Sequence, residues 1–259
     1  MNHYQSLKTL TNAQIRRILR IWIQTIVPPA ITTALYFLIF GQIIGSRIGG
    51  MPGYEGFSYV EFIVPGLIML SVITNSYANV ASAFFGAKFQ KAIEEIIISP
   101  MPNWSILIGF IMGGIARGFI VGIVVVLVSL FFTTFTIHNI LLTLFAIIIT
   151  SILFSLLGLI NGVYAKSFDD VAIIPTFVLT PLIYLGGIFY SIEMSEIPEQ
   201  WKLISMFNPI LYVVDFFRYA MLGQYQINPF LSFTLISAFT ILFFAIAYYL
   251  LHKGIGVKE

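Results

Sequence analysis

Six stretches without a charged side chain dominate the sequence: residues 21–46, 62–87, 96–116, 118–165, 171–192 and 219–252, of 26, 26, 21, 48, 22 and 34 residues. A helix needs roughly 20 mostly apolar residues to cross about 30 Å of hydrocarbon, so the bilayer is the solvent for which this chain is built. Only 9% of its 259 residues are charged and its mean hydropathy is +0.96. Ordinary soluble domains carry about 25% charged residues. A soluble enzyme, a disordered tail and a nucleic-acid binder are excluded. Cysteine is absent, which removes disulfides, thiolate metal sites and a cysteine nucleophile.

Proline and polar punctuation divide the runs into spans. Pro100 and Pro102 interrupt the third run, so span three starts near Trp104 and continues through Arg117. The polar stretch 133–139 splits the 48-residue run, and Asn228-Pro229 sets the start of the last span. The expectation is an all-α polytopic protein with six transmembrane helices at about 22–46, 60–86, 104–132, 140–165, 171–190 and 230–251. With the N-terminus inside, nine basic residues are cytoplasmic (Lys8, Arg16, Arg17, Arg20, Lys88, Lys91, Lys166, Lys253, Lys258) and three external (Arg47, Lys202, Arg218). That bias puts both termini in the cytoplasm. The first run is too long for a signal-peptide core and lacks a small-residue cleavage site, so a retained helix is expected.

Residues 209–221 are apolar nearly all round but reach only about 20 Å as a helix. Asn208 is a suitable N-cap, Pro209 suits the first helical position and Gly223 the C-terminal stop. A re-entrant helix dipping in from the external face between spans five and six fits, because non-spanning backbone survives at membrane depth only under protein or beside a water-filled cavity. Asp215 and Arg218 are three residues apart and expected to pair there.

The N-terminal segment 11–22 carries Ile15, Ile18, Leu19 and Trp22 at helical spacing with Arg16, Arg17 and Arg20 between them. That suits an amphipathic helix at the inner leaflet, its cations among anionic headgroups, and equally a topology signal. The cytoplasmic loop KFQKAIEEIIISPMPNW (88–104) has an apolar stripe of Phe89, Ala92, Ile93, Ile96 and Ile97. The stripe needs a cover, either the chain's own helix ends or a cytoplasmic partner. Arg117 is about 18 Å along span three, which places it near mid-membrane, where arginine costs at least about 3 kcal/mol. It must face a packed seam, held by carbonyls, or the translocation path. Gly114-x3-Gly118-x3-Gly122 around it lets backbones approach closely. Pro175 and Pro181 should kink or interrupt span five, as at the broken helices of transporters. Asp169 and Asp170 precede that span as helix-capping carboxylates.

No phosphate loop, HExxH or GxSxG motif occurs. His3 and His252 are cytoplasmic and His138 external, so no metal site is expected. Any energy source other than an ion gradient must come from another chain.

FIVPGLIML (62–70), the 88–104 loop and LGGIFYSIEM…FNPILYVVDFFRYAMLG (185–223) resemble the ABC-2 family of transporter permeases, over about residues 22–256. FFGAKFQKAIEE, GGIARGF, GLINGVYAKSFDD and PTFVLTPLIYLGGIFYS are similar to its YadH-type members of bacterial inner membranes. The resemblance implies an exporter half: a six-helix ABC-2 transmembrane domain (22–256) after a cytoplasmic amphipathic connecting segment (1–21), multi-pass in a bacterial inner membrane. It further implies a homodimer that pairs with two separate ABC ATPase subunits, which bind the ATP and Mg; no cofactor, metal or nucleic acid is expected on this chain. It implies a coupling helix in the 88–100 loop, with Lys88, Lys91, Glu94, Glu95, Ser99 and Pro100 as its ATPase-coupling residues. Relatives often carry Gly-Thr after the basic residue, where this chain has Ala92-Ile93. Arg117, Gly114, Gly118, Pro175 and Pro181 are then candidates for the path or for helix packing, and Asn208, Pro209, Asp215, Arg218 and Gly223 for the external re-entrant segment. The rival is an ion-coupled secondary transporter, which would want a carboxylate inside a span; Glu61, Asp169 and Asp170 lie at span ends and Asp215 beside Arg218.

Overall fold

A computed structural model describes residues 3–45, 53–54, 56–99, 101–194 and 198–256. Among the described residues the regular structure is entirely helical. Five helices are long and apolar enough to cross a membrane: Trp22–Ile44, Tyr59–Phe89, Asn103–Ser129, Ile140–Tyr164 and Pro229–Lys253. Before them runs α1 (His3–Arg20). The first long helix consists of α2 (Trp22–Tyr36), with Pro28 and Pro29 inside it, and a π-helical stretch, Phe37–Ile44. Then come α3 (Tyr59–Phe89), the short α4 (Ala92–Ile98), α5 (Asn103–Ser129) and α6 (Ile140–Tyr164).

The region expected to form span five is helical but broken. It comprises α7 (Phe168–Ile174), a π-helical turn (Pro175–Leu179) and α8 (Thr180–Tyr184). Pro175 opens the π turn and Pro181 sits in the first turn of α8, so the missing proline amides coincide with the break. The helical run ends at residue 184 instead of 190, because Gly187 takes the left-handed conformation (φ +69°) and turns the chain. Ser167 starts the run with a capping box: its hydroxyl accepts from the Asp170 amide at 3.1 Å, and the Asp170 carboxylate accepts from the Ser167 amide at 3.0 Å. The Asp170 carboxylate also accepts from the Lys166 amide at 2.9 Å.

Two further helices, α9 (Glu199–Met206) and α10 (Pro209–Leu222), precede the last long helix, α11 (Pro229–Lys253). The central post is α3, buried along most of its length against α5, α6 and α10, while α2 and α11 are largely exposed on the outside of the bundle. The row Gly114, Gly118, Gly122 makes this packing possible. A Cβ on Gly114 would strike the Ser155 hydroxyl, and one on Gly118 the hydroxyls of Ser76 and Ser151. One face of α5 therefore seats both α3 and α6 at backbone distance.

Candidate functional site: a polar groove with an inner arginine pair

Between α2, α3 and α8 lies a cavity of about 330 Å³, lined by Thr32, Thr33 and Tyr36, by Ser71, Thr74 and Asn75, and by Thr180 and Tyr184, among others. Seven of these eight side chains carry a hydroxyl on an aliphatic or aromatic body and the eighth an amide, a density that calls for partners wherever water is absent. At one end Tyr36 and Tyr184 exchange a hydrogen bond of 3.1 Å. Phe189 stacks there on Phe40, with centroids 4.5 Å apart, and tilts against Tyr36 at 5.4 Å. This aromatic cluster closes the groove toward the α8–α9 loop.

The other end is basic. Arg117 donates from Nε to Asn75 Oδ1 at 3.3 Å. One turn along α3, Arg17 of α1 donates from Nη2 to the Asn79 carbonyl at 2.8 Å and to Asn79 Oδ1 at 3.0 Å. Burial first and the charge of Arg117 second hold the Arg17 guanidinium below its ordinary value. Arg117 thus reaches the groove through Asn75, whereas Gly114 and Gly118 face the α3–α5–α6 seam. Pro175 and Pro181 shape the helix that carries Thr180 and Tyr184.

The N-terminal helix is not solely a surface element. A Cβ on Gly109 would come within 2.5 Å of Leu10, and one on Gly113 within 2.9 Å of Gln14 and 3.2 Å of Asn79. Successive turns of α1 therefore follow successive turns of α5. Of the expected stripe, Ile18 is buried while Leu19 and Trp22 remain exposed; Leu10 and Gln14 do the packing instead.

The 88–104 loop resolves into anchors and an outward face. Ile93 is 1% exposed, in the inner core with Phe84, Phe110 and Leu251. Ile96 and Ile97 are half-buried beside it, whereas Phe89 is exposed. Much of the apolar stripe is therefore covered by the chain's own helices. Lys88 points inward, donating to the carbonyls of Val163 and Ala165 at 2.9 and 3.0 Å at the end of α6, a C-terminal cap for that helix. Lys91 caps α4 with φ +59°, left-handed for a non-glycine residue. Ser99 ends it, its hydroxyl donating to the Ile96 carbonyl at 2.6 Å. Lys91, Glu95 and Ile98 are exposed, with Glu94 at the edge of the face; Pro100 lies outside the described residues. The exposed Phe89 and Phe168 rings lie 5.1 Å apart, joining this loop to the start of the broken helix.

In the segment expected to be re-entrant, Asn208 caps α10 by accepting from the Ile210 amide at 3.0 Å and ties it to α8 by donating to the Leu182 carbonyl at 2.5 Å. Pro209 occupies the first position and Gly223 (φ +80°) the left-handed stop. Asp215 and Arg218 do not bond to each other directly, contrary to their spacing. Asp215 accepts from the Tyr54 hydroxyl at 3.0 Å and from the amides of Gln226 and Ile227 at 3.1 and 2.9 Å. Arg218 donates to the carbonyls of Gly187 and Ile188 at 2.7 and 3.0 Å and lies 3.8 Å over the Phe62 ring. Tyr54 links the two charges. The longer reach of arginine takes it to a neighbouring loop, leaving the carboxylate to the loop after α10.

A family model described as the ABC-2 type transporter matches residues 5–222. The chain belongs to the ABC-2 type transporter family. Among relatives it is 50% identical over 257 residues to the inner membrane transport permease YadH of Escherichia coli strain K12, covering 99% of this chain and 98% of that one. It is 26% identical over 219 residues to nodulation protein J of Rhizobium leguminosarum bv. viciae, covering 83% and 82% of the two chains. The chain is thus a membrane permease subunit of an ABC transporter; it is not itself an enzyme, and the ATPase is a separate subunit. Sequence reasoning passed over Asn75, Asn79, Tyr36 and Tyr184. The signal for the first two was present in the cluster Thr74, Asn75, Ser76, Asn79 interrupting an apolar run.

Proposed function

We propose that this permease is the membrane half of an ATP-driven exporter in a bacterial inner membrane, working as a homodimer on two ATPase subunits that bind the ATP and Mg. The observation that carries this reading is the construction of α4. Ile93 and Lys88 fasten its surroundings to the bundle, while Lys91, Glu95 and Ile98 present an outward face left uncovered among the described residues. A helix held in this way transmits a push, as a solvated linker would not. ATP drives the cycle only by favouring one of two packings of the bundle.

Six spans follow if the broken helical run 168–184 crosses the membrane as the fifth. Both termini are then cytoplasmic and α10 is re-entrant from the external side, supported by its burial and by the polar staples at Asp215 and Arg218. Measured from Tyr59, the 20 residues to Asn79 rise about 30 Å, one hydrocarbon thickness. The inner boundary then lies near Asn79, where α1 meets the bundle with the exposed Arg16 and Arg20 toward lipid headgroups. Arg117, one turn deeper, sits near that boundary instead of mid-membrane, and its cost falls accordingly. The groove is the transport path, opened when the Tyr36–Tyr184 contact parts.

Co-expression with an ABC ATPase subunit, purification, and a vesicle assay test the reading. ATP-dependent accumulation that survives an ionophore is expected; ion-gradient dependence without nucleotide would establish the secondary-transporter alternative. Replacing Glu94 and Glu95 with Arg should uncouple hydrolysis from transport while membrane insertion persists.

A further inference from the structure

Arg17 and Arg117 approach α3 from two helices and contact adjacent turns of it, through Asn79 and Asn75. Every hydrogen-bond partner of these two guanidiniums among the described residues is a carbonyl, an amide oxygen or a hydroxyl; none is a carboxylate. Arg17 Nε is buried without a partner, and the Asn79 amide nitrogen beside it likewise. Asn79 itself is 1% exposed. Structural arginines in membrane proteins ordinarily pair with acids or saturate themselves on carbonyls, and this pair does neither.

The pair also has an approach. On the face of α1 turned away from α5, Thr9, Asn12, Arg16, Arg17 and Arg20 line a cleft of about 550 Å³. Arg16 and Arg20 are exposed there, and Arg17, which also lines the cleft, is close enough to Arg117 to feel its charge. A ligand that enters the cleft meets positive charge throughout. The planar donors of arginine match phosphate oxygens two at a time, and the anionic lipids of the inner leaflet supply such groups at this depth.

We propose that Arg17 and Arg117 form a binding site for one phosphate-type anion, which enters through the cleft on α1 and places its negative charge between the two guanidiniums. The anion answers the repulsion of the arginines and fixes α1 to α3 and α5. Two sources offer that chemistry, the headgroup of an amphiphile and free phosphate. The site does not depend on the export reading, because it is filled or empty without an ATPase.

The full-length permease, purified in neutral detergent, is placed in nanodiscs of phosphatidylcholine with or without phosphatidylglycerol, and retained lipid is counted by native mass spectrometry. Wild type should retain phosphatidylglycerol about tenfold over phosphatidylcholine. Arg117→Gln and Arg17→Gln should each reduce that preference roughly tenfold, as loss of a charge-assisted contact implies. Arg17→Lys, which keeps the charge, should restore part of it and shows whether loss in Arg17→Gln reflects charge or packing. Arg16→Gln with Arg20→Gln should cost less than either. Inorganic phosphate added in competition separates the sources: displacement of lipid identifies a site for the anion alone, and no displacement a site that needs the amphiphile, both within the proposal. Absence of a preference in wild type would overturn it, as would a preference that survives Arg117→Gln or that disappears only with Arg16 and Arg20. Failure of the vesicle transport assay would leave these outcomes untouched.

Discussion

Arg218 is among the most deeply buried side chains in the molecule, 1% exposed, and its head is spent on carbonyls of the loop after α8. Removing it frees those carbonyls and uncovers the Phe62 ring, while Asp215 keeps its own donors. Arg218→Leu should therefore destabilise by about 3 kcal/mol, the scale for breaking a buried charged contact. A fall in the melting temperature of the detergent-purified protein checks this; an unchanged melt would refute the staple. Lys91 makes the opposite case. Its left-handed backbone costs roughly 1–2 kcal/mol for a non-glycine residue. Lys91→Gly should hold or raise stability and Lys91→Val lower it, because a β-branched side chain resists φ +59°. If only the charge mattered, both variants would behave alike in the same melts. Much at this scale was legible beforehand: Asn208, Pro209 and Gly223 terminate α10 where their chemistry predicts. The partners of Arg218 were not, since a carbonyl 31 residues away leaves no mark on local spacing.

At the scale of elements, the seam of α5 and the broken helix carry different burdens. Gly118→Val would force its branches against Ser76 and Ser151 and pry α3 from α6. A loss of about 1–3 kcal/mol, the usual cost of overpacking, should appear as lower melting temperature and yield, while Ala at the same place should cost less. The broken helix, by contrast, links two distant contacts. Its first turn meets the cytoplasmic loop through Phe168 and Phe89, and its last turn carries Tyr184 at the closed end of the groove. Phe168→Ala should leave the fold and basal ATP hydrolysis intact but weaken the coupling of hydrolysis to transport severalfold; full coupling would exclude this contact from the pathway. Prolines announced the break in the sequence. They did not announce its early end, which depends on Gly187 turning under Arg218, nor the π-helical stretch after α2, where no proline stands within the stretch itself.

For the whole molecule, the decisive fact is that the groove is open on one side. Its hydroxyls lie between α2 and the broken helix, and both elements expose apolar surface around it: Ile31 and Leu35 on one, Ile173 and Phe177 on the other. Four of those hydroxyls already bond within the chain, Thr74 to the Leu70 carbonyl, Thr180 to the Pro175 carbonyl, and Tyr36 with Tyr184. A second copy facing the first would cover the others and the apolar rim, so the homodimer proposed above is expected to use this face and to join the two grooves into one conduit. Hydropathy alone could locate the helices but not this face, because an exposed leucine looks the same toward lipid or protein; only the polar floor distinguishes them. The chain has no cysteine, so a single introduced thiol reports on one position. Phe177→Cys, 73% exposed beside the groove, should give a disulfide-linked dimer under mild oxidation in membranes. Ile241→Cys, 70% exposed on α11, should remain monomeric. Cross-linking through position 241 but not 177 would move the dimer to the other side of the bundle, and the transport path would then have to be sought elsewhere.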